Sequence, residues 1–164
     1  MKVKDGIGGD PLALFGGEAS PVIAQLLQDA AASYPYTTRA EAILWSAQAI
    51  NPACLPVYFA LYKFYFYKAR LADAEKVALM GLEAAARQGG FIADWSQLSP
   101  AYCSGKQTQE PLHFYLFTLK ALAFIRLRLG RHTESLALLD KLQELDNKDT
   151  VGSSVIRDIA AELT

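Results

Sequence analysis

Seven of the ten residues from Tyr58 to Tyr67 are aromatic: Tyr58, Phe59, Tyr62, Phe64, Tyr65, Phe66 and Tyr67. They lie in PVYFALYKFYFYKAR, residues 56–70. Read as a helix over about 55–70, this stretch is apolar nearly all round, interrupted by Lys63 and Lys68. A surface helix buries one stripe and keeps a polar back. A helix without that back needs cover on several sides, so the surrounding chain has to supply it.

The chain has enough material for this. It has 164 residues, 52 % hydrophobic and 20 % charged, which fits one domain with a substantial core and argues against global disorder. The net charge of −1 lacks the basic surplus of a nucleic-acid binder. The opening MKVKDGIGGDPLALFGG contains no apolar run of signal-peptide or membrane-span length, so a soluble cytoplasmic protein is expected. Cys54 and Cys103 form no CxxC pair and are expected to be reduced thiols. His113 and His132 show no metal-ligand spacing, and neither a metal nor a cofactor is expected.

The glycines within 1–9 predict a loose tail, and Asp10-Pro11 starts a short turn of helix through Phe15, ended by Gly16-Gly17. Leu12, Leu14 and Phe15 of that turn are expected to dock on the helices after it. Ser20-Pro21 marks the next start, with serine as N-cap and proline in the first turn. Val22, Ile23, Leu26, Leu27, Ala30 and Ala31 then recur at helical spacing up to Tyr34-Pro35-Tyr36. Thr37 or Thr38 is expected to cap a helix whose stripe is Ala40, Ile43, Leu44, Ala47 and Ile50, stopped by Asn51-Pro52. After the aromatic helix, Ala74, Val77, Ala78, Gly81, Leu82 and Ala85 form another stripe, ended near Gly89-Gly90. Residues 91–110 break the rhythm, yet Phe91, Trp95, Leu98 and Tyr102 are too apolar for a free loop; a short helix near 92–98, packed on the body, is expected. The helical pattern resumes over 111–129, stops at Gly130, and returns through Leu145 with Thr133 expected as its cap. Val151, Val155, Ile156, Ile159 and Leu163 predict an amphipathic final helix.

These helices pair, and the pairs repeat. Ala40 with Leu44, Ala47 and Pro52 matches Ala74 with Ala78, Gly81 and Ala86 at an offset of 34 residues, Ile50 lying just before Pro52. A third copy places Ser135 in the alanine slot 61 residues on, one period plus 27, with the surplus falling in the irregular stretch. LKALAFIRLRLGRHTESLALLDKLQEL carries Leu122, Gly130, Leu139, Leu142 and Leu145; the second copy carries Leu61 and Tyr65 but has Ala69 where Gly130 stands, and the first ends on Pro52. On these residues the chain resembles the tetratricopeptide-repeat family over roughly 21–149, although no copy has the family's first-helix tryptophan. The resemblance implies an all-α, right-handed solenoid of about three helix pairs (21–54, 55–88 and 116–149). An N-terminal segment 1–20, an insert 89–115 and a capping helix 150–164 complete the layout.

The resemblance also implies that the first helix of each pair lines a concave face. Gln25 and Asp29 would lie there, followed by Phe59, Lys63, Phe66 and Tyr67, and then Phe117, Lys120, Phe124 and Arg128. Rings interleaved with cations suit a partner peptide carrying apolar anchors and an acidic residue. Tyr58, Leu61, Tyr62 and Tyr65 are expected in the core, and Glu41, Asp73, Glu75 and Glu83 on solvated faces. The expected function is a cytoplasmic protein-interaction module, an adaptor or assembly chaperone, not an enzyme, and its layout is similar to that of bacterial secretion chaperones. One alternative is a structural homodimer whose groove is filled by its own insert or by a second copy, which a mean hydropathy of +0.12 favours. Another is an enzyme centred on Cys103 and His113 in the insert.

Overall fold

The structure, a computed structural model, describes residues 7–15, 19–106 and 109–163, with Leu12 described by its backbone only. Nine α-helices occur among them: α1 Pro11–Phe15, α2 Pro21–Ala32, α3 Thr37–Ile50, α4 Leu55–Tyr67, α5 Leu71–Gly89, α6 Pro100–Cys103, α7 Glu110–Arg128, α8 His132–Leu145 and α9 Ser153–Glu162. A 3-10 turn spans Trp95–Gln97. The expected tail over 1–6 and the Gly16-Gly17 stop lie outside the described residues. Ile7 is fully buried, so the tail reading fails from there on. Leu14 of α1 is 38 % exposed and only Phe15 is shown docked. No described helix is long and apolar enough to cross a membrane.

Local signals account for most boundaries. Ser20 caps α2, its hydroxyl accepting from the Ile23 amide at 3.3 Å. Gly90 takes φ +73° and closes α5. Neither Thr37 nor Thr133 is a cap. The helices α3, α5 and α8 start instead from Tyr36, Arg70 and Arg131, which share φ between −103° and −94° and ψ between 69° and 83° and make no side-chain cap bond. The irregular stretch lies within one residue of its expected place, because α5 reaches Gly89 and α7 begins at Glu110. Within it, the helix expected near 92–98 is the 3-10 turn, followed by α6.

The repeat offset is written into the backbone. The second helices start at Thr37, Leu71 and His132, offsets of 34 and 61. The Arg70 amide bonds the Tyr65 carbonyl at 2.8 Å, and the Arg131 amide bonds that of Arg126 at 2.9 Å, the same closing bond 61 residues apart. Ala69 takes φ +60° in the slot where Gly130 takes +84°, so replacing glycine leaves the turn's geometry intact.

A polar ladder keeps the same offsets. Glu41 on α3 accepts from the Tyr65 hydroxyl and from Arg70 at 3.1 Å. Glu75 on α5 accepts from Arg126 at 2.9 Å and from Arg131 at 2.7 Å. The acid moves by 34 positions and both donors move by 61, so each second helix is stitched to the next pair's tight turn. These glutamates, expected on solvated faces, are structural. Tyr65 and Arg70 hold the Glu41 carboxyl below the usual glutamate range, while burial and the Glu41 bond push the Tyr65 hydroxyl up to about 12.

Packing is sequential: α2 on α3, α3 on α4, α4 on α5, α5 on α7, α7 on α8, and α8 on α9. First helices also touch where α4 meets α7. Tyr58, Leu61, Tyr62 and Tyr65 are all buried, as their spacing predicts. Gly81 sits where α5 crosses both neighbours; a Cβ there would stand 3.2 Å from the Tyr58 Cβ and 3.3 Å from the Phe114 ring.

The ladder and the helix crossing can each be tested. A depressed glutamate pKa stabilises the fold above the unfolded-state value and loses that contribution as pH falls through the folded one. The stability gap between wild type and Glu41→Gln, measured by urea denaturation, is therefore expected to be full above roughly pH 5 and to close toward pH 3, given an unfolded glutamate pKa of about 4.3. A gap that widens in acid refutes the ladder's role. Separately, Gly81→Val overpacks the crossing and is expected to cost about 1–3 kcal/mol; an unchanged thermal midpoint would show that α5 can move away.

Candidate functional site

Ala60 is the one small residue within the aromatic run of α4, and it lies across from Ala30 and Ala31 on α2. Small side chains on facing helices leave space between them. A cavity of about 410 Å³ opens there, lined by Leu27, Gln28, Ala30, Ala31, Tyr34, Leu44, Ala60, Lys63, Phe64 and Tyr67, with Asp10 and Pro11 of the N-terminal segment at one side. Its lining is mostly hydrocarbon and ring carbon. The Lys68 ammonium lies 4.0 Å from the Tyr34 ring centroid, tying the end of α2 to the end of α4 beside this cleft.

Along the same face, α1 lies against α4. The Phe15 ring sits 5.4 Å from Phe59, 5.1 Å from Phe114 and 5.3 Å from Phe117, edge-on to each, with His113 tilted against it at 5.6 Å. Each edge-to-face pair contributes about 0.5–1.5 kcal/mol beyond its buried area. Lys63 reaches back to donate to the Gly9 carbonyl and lies over the Phe59 ring. Beyond Phe15 a second cavity of about 270 Å³ opens, lined by Phe15, Ala19, Asn51, Ala53, Cys54, Leu55, Pro56, Gln88 and Glu110.

The eight residues singled out on the first helices thus fall into three environments. Phe59 and Phe117 are buried beneath Phe15, which docks from the chain's own N-terminal segment. Lys120, expected on the open face, is buried: it lies 4.0 Å from the Phe117 ring and donates to the Val151 carbonyl at 2.7 Å, ahead of α9. Its charge is stabilised by those contacts rather than by water. Lys63, Phe66, Tyr67, Phe124 and Arg128 form the rest; of these Phe66 and Phe124, expected on the open face, are buried as well, while Lys63 and Tyr67 are half-buried. The Phe66 ring packs on Phe124 at 5.3 Å and on Tyr67 at 5.4 Å, and the exposed Arg128 guanidinium covers Phe66 at 5.4 Å. Of these, Lys63 and Tyr67 line the α2–α4 cleft. Gln25 and Asp29 are exposed on α2 and bonded to each other at 2.9 Å.

The insert packs elsewhere. Phe91 packs edge-on against Tyr115 at 5.1 Å, the Tyr115 hydroxyl donates to the Ala93 carbonyl, and α6 rests on α8. Cys103 is fully buried, and burial raises its thiol pKa, opposite to the shift that activates a nucleophilic cysteine. His113 is half-buried; burial, then the Lys120 charge, lowers its pKa.

The cleft residues Ala30, Ala31 and Ala60 escape a reading based on ring and charge count. For Ala60 the signal is the reverse: an alanine whose neighbours in the run are nearly all large. The docking of Phe15 is expected from sequence, but not which rings it meets, because its segment precedes the first pair and belongs to no copy of the repeat.

Removing the Lys120 ammonium strands the Val151 carbonyl. Lys120→Met, which keeps most of the stem, is expected to cost about 1–3 kcal/mol and to loosen α9. The readouts are a thermal melt and amide exchange over 153–162; unchanged exchange there would refute the anchoring role.

No protein-family profile matches the chain, and no solved structure matches it. A relative does: a protein of Azotobacter chroococcum mcd 1 described as "Uncharacterized 19.8 kDa protein in nifW 5'region", 34 % identical over 125 residues that span 75 % of this chain and 70 % of the relative.

Proposed function

We propose that this chain, which belongs to the same family as the Azotobacter protein, is a protein-interaction module: a cytoplasmic adaptor or assembly chaperone, not an enzyme, built as a tetratricopeptide-like array and holding a partner's peptide segment along its first-helix face. The observation that carries this reading is the apolar cleft between α2 and α4. It is open enough to admit a leucine- or phenylalanine-sized anchor, and it continues into a face already in contact with a peptide segment, the chain's own residues 7–15. Lys63 and Lys68 at its edge, and Arg128 beyond Phe66, favour an acidic residue beside the anchor.

A second reading has support of its own. Phe15 fills the aromatic cage, so part of the groove is satisfied internally, and a purely structural chain would need no outside ligand.

Filling the cleft separates the two. Ala31→Trp and Ala60→Trp place an indole where the anchor would lie, on helices whose backbones already stand apart. Tagged wild type and each variant are used to capture proteins from the native host. Where that host carries a nifW gene, its product is the first candidate partner to test, because the relative is encoded in the nifW 5′ region. The interaction reading expects a specific partner on wild type, reduced at least tenfold on both variants at unchanged thermal midpoint. Equal capture of that partner by all three would place its binding outside the cleft, and no specific partner on wild type supports the structural reading.

A further inference from the structure

His113 sits on α7 at the point where the N-terminal segment docks. Its ring lies 5.6 Å from the Phe15 ring, tilted by 41°, and 6.5 Å from Phe117. Three features of this place disfavour an imidazolium. The ring is half-buried among other rings. It projects from the first turn of α7, where the helix dipole repels a cation. Lys120 lies seven positions further along the same face, its ammonium fixed by the Phe117 ring and the Val151 carbonyl. The charged groups of the surrounding elements do not offset this. On α4, the Lys63 ammonium over the Phe59 ring is a further cation. On α1, Asp10 is exposed and caps its own helix through the Ala13 amide at 2.9 Å. On α7, Glu110 is exposed one turn earlier. Ahead of α9, Asp146 spends its oxygens on the Thr150 and Val151 amides and the Thr150 hydroxyl. Burial, then the Lys120 charge, accordingly lower the His113 pKa, with Asp146 opposing them more weakly.

The segment that covers His113 is small. Helix α1 has five residues, fewer than a helix needs to be stable alone. Ile7 and Phe15 bury their side chains on the body, and elements of this size open at lower free energy than the long core helices. We infer that His113 is a proton-operated latch on the N-terminal segment. Neutral, it lets Phe15 close over the Phe59–Phe114–Phe117 cage; protonated, it favours a state in which residues 7–15 lift and water solvates the imidazolium. The sign follows from linkage. The docked state holds fewer protons at His113 than the lifted one, so acid moves the balance toward lifting. The shift starts as pH falls through about 6.5, the ordinary imidazole value, and levels off below the docked-state value. It is independent of whether the α2–α4 cleft binds a partner.

Amide exchange on the full-length chain, read by mass spectrometry with intrinsic rates divided out, tests the latch. Between about pH 7.5 and about pH 5.5, wild type is expected to lose about threefold or more of its protection over residues 7–15, tenfold being the ceiling for each unit of pKa difference. Protection over α5 is expected to stay constant. His113→Gln, which takes no charge, is expected to show no such loss, and His113→Lys, which is always charged, to show it already at the higher pH. The converse is read on the imidazole. The chain has two histidines, so NMR identifies the His113 signal by its absence in His113→Gln, and Phe15→Ala is expected to raise its pKa toward the ordinary value. The inference is overturned if wild type and His113→Gln lose protection equally, if His113→Lys keeps residues 7–15 protected, if α5 loses protection in step with the segment, or if Phe15→Ala leaves the His113 titration unchanged. Where a variant does not fold, the wild-type profile decides, since flat protection over residues 7–15 refutes the latch by itself.

Discussion

Helix α7 has no solvent side, and the rest of the molecule is arranged to cover it. Fourteen of its nineteen residues are buried, on every face of the helix. No single neighbour can cover a cylinder, so α5, α8, α4 and α9 all pack against it. This enclosure makes the polar groups inside it demanding, because each needs a partner where water does not reach. Thr118 meets the Tyr62 hydroxyl at 3.1 Å, the Ala123 carbonyl accepts from Ser135 at 2.7 Å, and Lys120 finds the Val151 carbonyl. The last contact ties the loop before α9 to the centre of the fold. Asp146, itself buried, accepts from the amides of Thr150 and Val151 and holds that carbonyl in place.

The register of the helix pairs is legible in the sequence because it rests on local and periodic rules. Alanine, leucine and glycine at fixed offsets mark where second helices approach first ones, and the offsets of 34 and 61 recur in the helix starts themselves. The first-helix core positions Tyr58, Tyr62 and Tyr65 can be read from spacing alone. The relations between pairs are not legible in this way. Glu41 and Glu75 look like ordinary surface acids until Arg70 and Arg131, each in the next pair's turn, come within reach. Nothing in the sequence near Lys120 says that a carbonyl thirty-one residues downstream will meet it.

The aromatic face shows the same limit from the other direction. Counting rings and cations selects large side chains, which are the ones an apolar segment covers first. Phe59 and Phe117 are covered by Phe15, and Lys120 by the loop before α9. The space between α2 and α4 exists because of Ala30, Ala31 and Ala60, residues that carry no chemistry of their own. A reading tuned to reactive or bulky groups passes over such positions, although absent side-chain volume is what makes a cavity.

The ladder has a consequence for how this architecture can change over time. Its rungs end at the α4–α5 and α7–α8 turns or in the last helical turn before them. The link between α5 and α7, which holds the 3-10 turn and α6, carries none of them. Residues gained or lost in that link therefore leave every rung in place, and the helix register can persist while the link changes length.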